Sequence, residues 1–467
     1  MRISFVLPLV CPLFCGVALS VCAADRALIS YTSAKPVLDQ TSGQLPVDLR
    51  NPNEAKWTAW SRKEDEAIRA RLDQGYLDSL VNLLLYGTSF TKQPRIEVES
   101  LTEASRSGLL RARVDDLIAG LRNPGDNERL SFLNALLRSN RIDPNSPGET
   151  GVFVYNNLQR VIQEMQILAK RGEKAKRLLQ PNGAQSNGAQ SNWAGDPSAI
   201  FTWRAGLLRD RGVSLDTSIF PNFSIEQALR DLKDRGVLRP GQVARVAVIG
   251  PGLDFSDKND ASSFDYYPQQ TLQPFALYDS LLRLGLARSN AVSMTIFDIS
   301  SRVIDHIRRA HERASKNAGY VIQLPREVAN PWPSDLIAYW RSLGDRVGSE
   351  VAPITPPNIF PGLETRAVGI RPAVVLNCQA VGLNIVLERM SLAEADRFDL
   401  MVATNIFIYY DAFERSLALE NAGAMLKRGG LLLTNDRLPE VSGGSMRQAG
   451  ITDVQYNHDA VGWYQKR

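Results

Sequence analysis

The chain has 467 residues, with 54 Lys and Arg against 50 Asp and Glu and a formal net charge of +4. That mild balance, without a long basic block, argues against a nucleic-acid partner, and the length allows about two to three domains with a sizeable core. Three histidines and four cysteines, of which only Cys378 lies beyond residue 23, argue against disulfides, zinc sites and His-based triads.

Residues 1–23 carry Arg2, then an apolar run from Ile3 to Val21 broken by Pro8 and Pro12. Val21-Cys22-Ala23 ahead of Ala24 fits the small-residue rule for leader cleavage. The expectation is an exported chain with a signal peptide over 1–23 and no stable membrane span once it is removed. Retention of the leader as a membrane anchor is the alternative. Residues 24–52 are polar and predict an irregular tether. From Asn53 the pattern turns helical: Trp57, Trp60, Ile68 and Leu72 recur at helical spacing, and Tyr76–Tyr86 forms a second, more apolar helix. Helices are predicted over Leu101–Leu121, Glu128–Arg138 and Val152–Leu179, giving an all-helical domain over 53–180. Asn182 to Asn192 is a tandem five-residue repeat of small polar residues. Such a stretch buries too little apolar area to offset its ordering and predicts a flexible linker over 181–198.

The remainder, 199–467, reads as an α/β domain. After a helical stretch over Ala199–Arg209, Ser224-Ile-Glu-Gln227 has the capping-box pattern that opens a helix. Val243–Ile249 is a β-branched run bounded by Pro240-Gly241 and Gly250-Pro-Gly252, as in a buried parallel strand ending in a tight turn. Gly250 and Gly252 carry no Cβ to keep a ligand from the backbone there. A polar and aromatic loop, Phe255–Gln273, precedes a helix over Pro274–Leu286. The second strand, Val292–Asp298, ends in an acid able to accept hydrogen bonds from both hydroxyls of a ribose; capping the next helix is its alternative role. Asp298 lies 48 residues beyond Gly250, where a dinucleotide fold shows about 20. His306 and His311 are five apart on a predicted helix, do not share a face as a metal pair would, and are expected to be solvated.

An insertion is expected around 320–382, with a strand over Tyr320–Leu324, a helix over Pro333–Val347 and a Pro-rich loop. Leu383–Met390 is then the third core strand by position. A fourth strand enters through Phe398-Asp-Leu and ends at Asn405. A capping box at Asp411-Ala-Phe-Glu414 starts the next helix, Leu431–Thr434 is the fifth strand, and the C-terminal residues predict an antiparallel pair closing the sheet.

Gly-x-Gly after strand one, Asp298 after strand two, Phe398-Asp-Leu into a strand ending in Asn405, and Leu-Lys-Arg-Gly-Gly-Leu-Leu-Leu together resemble class I S-adenosylmethionine-dependent methyltransferases. The segment Asn405-Ile-Phe-Ile-Tyr-Tyr-Asp411 is similar to the chemotaxis receptor glutamate methyltransferases. The match covers roughly Gln242 to Arg467. It implies a doubly wound, mostly parallel seven-stranded sheet, S-adenosylmethionine as cofactor, and methyl transfer to an acceptor that the resemblance leaves unidentified. By that resemblance Gly250 and Gly252 face the methionine portion, Asp298 the ribose, and Asn405 the cofactor beside the acceptor. Asp254 stands in place of the usual third glycine and is placed to receive the cofactor's amino group. Met390 occupies the position where many members carry an adenine-reading acid, so its backbone is the candidate there. Tyr409, Tyr410, Tyr266 and Tyr267 are candidates for the acceptor pocket, with strand-end packing or a plain surface loop as their alternatives. The first-strand motif departs from the chemotaxis enzymes and nothing resembles their basic receptor-binding helix, so glutamate esterification is not implied. Displacement at a sulfonium needs alignment more than a dedicated base, and no catalytic residue is assigned. Two other functions stay open: an exported binding protein with a degenerate pocket, and a nicotinamide-dependent oxidoreductase, the latter disfavoured by the missing third glycine.

Overall fold

Five parallel strands form the centre of the molecule, the innermost two of them nearly continuous in apolar residues. In β2 (Arg245–Ile249) every residue after Arg245 is buried, as a strand covered by helices on both sides requires. The computed structural model describes residues 26–43, 45–96, 100–179, 219–253, 265–288, 291–329, 331–356, 362–454 and 460–467. The leader, the repeat-bearing linker, Ala199–Arg209, Asp254 and His458 lie outside them. Among the described residues, no helix is long and apolar enough to cross a membrane.

The N-terminal part comprises β1 (Arg26–Leu28), α1 (Tyr31–Gln40), α2 (Glu54–Tyr86), α3 (Leu101–Arg106), α4 (Leu109–Arg122), α5 (Glu128–Ser139) and α6 (Pro147–Leu179). After α7 (Ile219–Asp234) and β2 come α8 (Gln273–Arg283), β3 (Ser293–Asp298) and α9 (Ser301–Ser315). A side unit holds β4 (Tyr320–Glu327), α10 (Ser334–Ser342), β5 (Gly348–Val351) and β6 (Leu363–Ile370), the strands pairing antiparallel in the order β4-β6-β5. Then follow α11 (Pro372–Leu376), β7 (Cys378–Gly382), β8 (Glu388–Met390), β9 (Phe398–Ala403), α12 (Ala412–Met425), β10 (Leu426–Thr434), β11 (Met446–Asp453) and β12 (Ala460–Lys466). The main sheet has seven strands in the order β11-β12-β10-β9-β2-β3-β7. β7, β3, β2, β9 and β10 are parallel, and β12 and β11 close it antiparallel. The expected mostly parallel sheet with its antiparallel C-terminal pair is therefore present.

Several expectations are corrected. Residues 26–43 and 45–52 are ordered structure, not an irregular tether: β1 pairs with β8 and Ile29, Val37, Leu38 and Leu49 are fully buried. Most of the sparse apolar residues of this polar stretch face the core, Leu28 and Val47 being exposed. Trp57 and Tyr76 belong to one 33-residue helix, and 101–121 is split where Gly108 takes a left-handed φ of 80°. Ser224 lies inside α7 and does not cap it. Asp411 does cap α12, with Glu414 completing the reciprocal box.

The third core strand is β7, not Leu383–Met390. The apolar run Leu383–Leu387 is buried as a turn, and that turn is held by polar side chains. Glu388 accepts the Asn384 N–H, and Asn421 donates to the carbonyls of Ile385 and Val386. Burial without a ladder partner produced the strand-like pattern. The insertion accordingly ends before β7.

α2 joins two cores. Trp57, Trp60 and Ile68 pack in the cluster with Ile249, Ala403 and Phe413 of the sheet layer, and Trp60 lies 5.3 Å from the Phe413 ring. Leu80 to Tyr86 belong to a separate cluster with α4, α5 and α6.

Candidate functional site

The carboxyl ends of the parallel strands meet at one edge, where open α/β sheets bind their ligands. β2 ends in the Gly250-Pro-Gly252 turn, with φ of 62° at Gly250 and 68° at Gly252, values that an L side chain rarely adopts. The turn is tied to β3 by the Gly250 N–H, which donates to Phe297 O at 2.7 Å. Gly250 does not leave its backbone open to a ligand as expected: a Cβ there would fall 2.1 Å from Cδ1 of Ile406, so Ile406 uses that space.

Asp298 ends β3 and faces this turn. Its carboxylate accepts the Ser300 N–H at 2.8 Å and also backbone hydrogen bonds from Ile299 and Gly252. Burial dominates its electrostatics and pushes the carboxyl up to about 7, against the pull of those three N–H groups. Asp298 thus caps the turn into α9 and at the same time presents a buried, readily protonated carboxyl beside the glycines.

The N-terminal part crosses this edge. From α2, the Asp65 carboxylate accepts from the Asn384 amide at 2.8 Å, just past β7. Arg71 donates to Tyr409 O at 3.0 Å and to Glu414 at 3.1 Å, and stacks over the Tyr410 ring at 5.5 Å. Tyr76 hydrogen-bonds Ser300 Oγ at 2.7 Å, beside Asp298. α2 therefore covers the strand ends that the motif pattern picked out.

The segment leading into α8 is clamped from three sides. Asp265 accepts the Thr88 N–H at 2.6 Å, the Thr88 hydroxyl and the Ser89 hydroxyl. Arg129 sits 4.0 Å from it and donates to Tyr267 O at 2.6 Å. Burial alone would raise Asp265, but the Arg129 charge and the Thr88 and Ser89 bonds overcome it and hold the carboxyl below its ordinary value. Gln270 pairs its amide with both backbone groups of Gln323, at 2.9 and 2.7 Å, and Gln273 donates to Thr404 at 2.7 Å. The Thr271 N–H donates to the Tyr320 hydroxyl at 2.7 Å, which lies 2.8 Å from His306 Nε2. His306 Nδ1 lies 3.0 Å from Glu128. A carboxylate only accepts, so Nδ1 carries the proton and Nε2 accepts from Tyr320. His306 is thus buried and bonded at both nitrogens, contrary to the solvated position expected for it. In the same segment the Tyr266 hydroxyl, Gln269 Nε2 and Thr271 Oγ1 are buried without hydrogen-bond partners among the described residues, an arrangement that folded proteins seldom leave unexplained. Burial pushes the Tyr266 phenol up to about 12.

At the end of β9, Asn405 is exposed and has a φ of 57°. It exchanges hydrogen bonds with Asn435 at the end of β10: Asn405 N donates to Asn435 Oδ1 and Asn435 Nδ2 donates to Asn405 Oδ1, each at 2.8 Å. Next to it Asp436 accepts the Phe407 N–H at 2.8 Å. Burial lifts Asp436 to about 6, against opposing bonds from Phe407, Ile408 and Ile406 and the Arg415 charge. It pins the single-turn helix Phe407–Tyr409 onto β10.

The edge therefore brings together Gly250, Gly252, Asp298 and Asn405. Tyr410 is 5 % exposed under Arg71 and is a packing residue; burial raises its phenol far above the ordinary range. Tyr409 is half-buried beside it, while Tyr266 and Tyr267 stack edge to face at 5.2 Å. Met390 is not at this edge. It sits in β8 opposite Arg26, with its N–H on Met425 Sδ, and the third core strand ends instead at Gly382. Arg71, Tyr76, Asp265, Asn435 and Asp436 carried no assignment in the sequence. Thr434-Asn435-Asp436 at a strand end was the available signal for the last two; nothing local announces the first three.

No family model and no curated protein matches the chain. Among solved structures, it is similar to a TehB-like SAM-dependent methyltransferase from Corynebacterium glutamicum, 12% identical, covering 53% of this chain and 98% of that one, with a TM-score of 0.23. It is similar to the magnesium protoporphyrin IX methyltransferase of Synechocystis with bound SAM, 11% identical, covering 60% and 87%, TM-score 0.25. MtNAS in complex with MTA and tNA is 11% identical over 84% of this chain and 97% of that one, TM-score 0.23. At such values the functional reading rests on the chain's own residues.

Proposed function

We propose that the chain binds S-adenosylmethionine at the carboxyl edge of the sheet and transfers its methyl group to an acceptor. The observation that carries this reading is Asp298: a buried carboxyl at the tip of β3 that hydrogen-bonds into the glycine turn at the tip of β2. The residues suit such a cofactor. Asp298 offers acceptor oxygens for ribose hydroxyls, Gly252 brings backbone close, and the Tyr266 hydroxyl, Gln269 Nε2 and Thr271 hydroxyl, which have no partner among the described residues, could meet its polar groups.

Bound there, S-adenosylmethionine supplies an electrophilic methyl on a positively charged sulfur. The chain's own part is binding and alignment. Asp298 and the Gly252 backbone hold the sugar end, the clamp through Asp265 and Gln273 fixes the segment beside it, and α2 excludes water from above. Positioning of this kind is worth up to about 7–11 kcal/mol in favourable cases.

A second reading, a non-catalytic binding module on the same fold, is favoured by one observation: Ile406 fills the space beside Gly250. Calorimetry with S-adenosylmethionine and, separately, NAD distinguishes the readings. The proposal expects S-adenosylmethionine alone to bind. Binding of neither supports the second reading, and binding of NAD alone overturns both.

A further inference from the structure

Asn405 and Asn435 form a reciprocal amide pair whose orientation is not arbitrary. The backbone N–H of Asn405 can only donate, so the Asn435 atom facing it, at 2.8 Å, is the oxygen. The other end of the Asn435 amide is then NH2, and the Asn405 atom it meets at 2.8 Å must also be an oxygen. One backbone donor thus settles two side-chain amides. The Asn405 NH2 is left turned away from Asn435 and makes no hydrogen bond to the described residues, on an exposed side chain at the strand end beside Ile406 and Gly250. The left-handed φ of 57° at Asn405 is an uncommon state for a non-glycine residue, of the kind kept where surrounding contacts over-determine it.

We propose that Asn435 sets the polarity of Asn405, so that the site presents N–H donors to the methyl acceptor and takes an oxygen acceptor in its ionised form, not an amine. This rests on the methyltransferase reading above. An amine would bring its own N–H groups against those of Asn405, donor against donor. An anionic oxygen accepts them. In the transfer to it one C–O bond forms and the C–S bond breaks, its electron pair staying on sulfur as a neutral thioether, with no proton to remove. Asn435 touches neither reactant and is a positioning residue.

The test needs no knowledge of the acceptor. Sinefungin carries an amine where S-adenosylmethionine carries its methyl, whereas S-adenosylhomocysteine carries nothing there. Calorimetry on the full chain should give wild type a preference for S-adenosylhomocysteine. In N435D the new carboxylate still accepts the Asn405 N–H but offers no donor, so the Asn405 amide turns its oxygen outward. The affinity ratio should shift toward sinefungin at least tenfold. A bare charge effect would persist without the Asn405 side chain, so the same change is made in an N405G background, where glycine suits the backbone; the proposal expects the shift to vanish. Should N435D not fold, N405D presents an outward oxygen from the other partner and should give the same shift. An unchanged ratio in N435D, or a shift that survives in N405G, overturns the proposal while leaving cofactor binding intact. Failure of wild type to bind either compound overturns the methyltransferase reading itself, a distinguishable result.

Discussion

Asp265 and Asp298 are both buried carboxylates, yet their surroundings drive them in opposite directions. Asp265, where the helical part grips the segment before α8, is met by two hydroxyls, a backbone N–H and Arg129, and is held below its ordinary acidity range. Asp298, at the tip of β3, is met by backbone N–H groups alone among the described residues and is pushed up to about 7. The first is a finished structural joint. The second is the carboxyl that the proposed function gives to the ligand.

Breaking the joint should have the largest effect. Asp265→Ala leaves Arg129 in place without its buried counter-charge, and removing one partner of such a pair costs about 3–5 kcal/mol. Denaturant unfolding measures it, and a loss under about 1 kcal/mol would show that the clamp is incidental. Trp60→Ala, which removes the α2 anchor from the sheet's cluster, should cost about 3–5 kcal/mol as well. If α2 is integral to the sheet's core, that variant loses stability in a single transition; separate melting of a helical unit with the sheet unaffected would contradict this.

A smaller effect concerns His306. Burial lowers its pKa from 6.5, against the pull of Glu128, while Arg309 and Arg313 add to the lowering. The unfolded ring takes up a proton near its ordinary pKa while the folded ring resists. Stability is therefore fully present above about 6.5 and lost as pH falls through the folded value. His306→Gln should flatten the stability profile below about pH 6.5, and an unaltered slope would assign the acid sensitivity elsewhere. The smallest expected change is Asp411→Ala, which removes one half of the α12 capping box and should cost about 1 kcal/mol.

The two aspartates also show what was legible in the sequence. Asp298 follows a period-two apolar strand and precedes a helix, so its place at the sheet's edge is written locally. The same holds for Gly250, Gly252 and Asn405. Asp265 has no local signature, because its meaning comes from Thr88, Ser89 and Arg129, more than 130 residues away. Arg71 and Tyr76 were hidden likewise: the pattern set them at the end of one predicted helix and the start of the next, and only the sheet beneath α2 gives them partners. Leu383–Leu387 misled for the opposite reason. Its burial is real, but the chain satisfies its backbone with Asn421 and Glu388 and forms no ladder there.

The central claim is that Asp298 is the ligand-facing carboxyl of the site, and the pH dependence of S-adenosylhomocysteine affinity tests it most directly. With its carboxyl titrating at about 7, the ionised fraction rises about tenfold between pH 6 and 8, by one-site titration. Wild-type affinity should rise by about that factor, and Asp298→Asn should bind weakly and without pH dependence. Binding that is insensitive to both pH and the substitution would contradict the account.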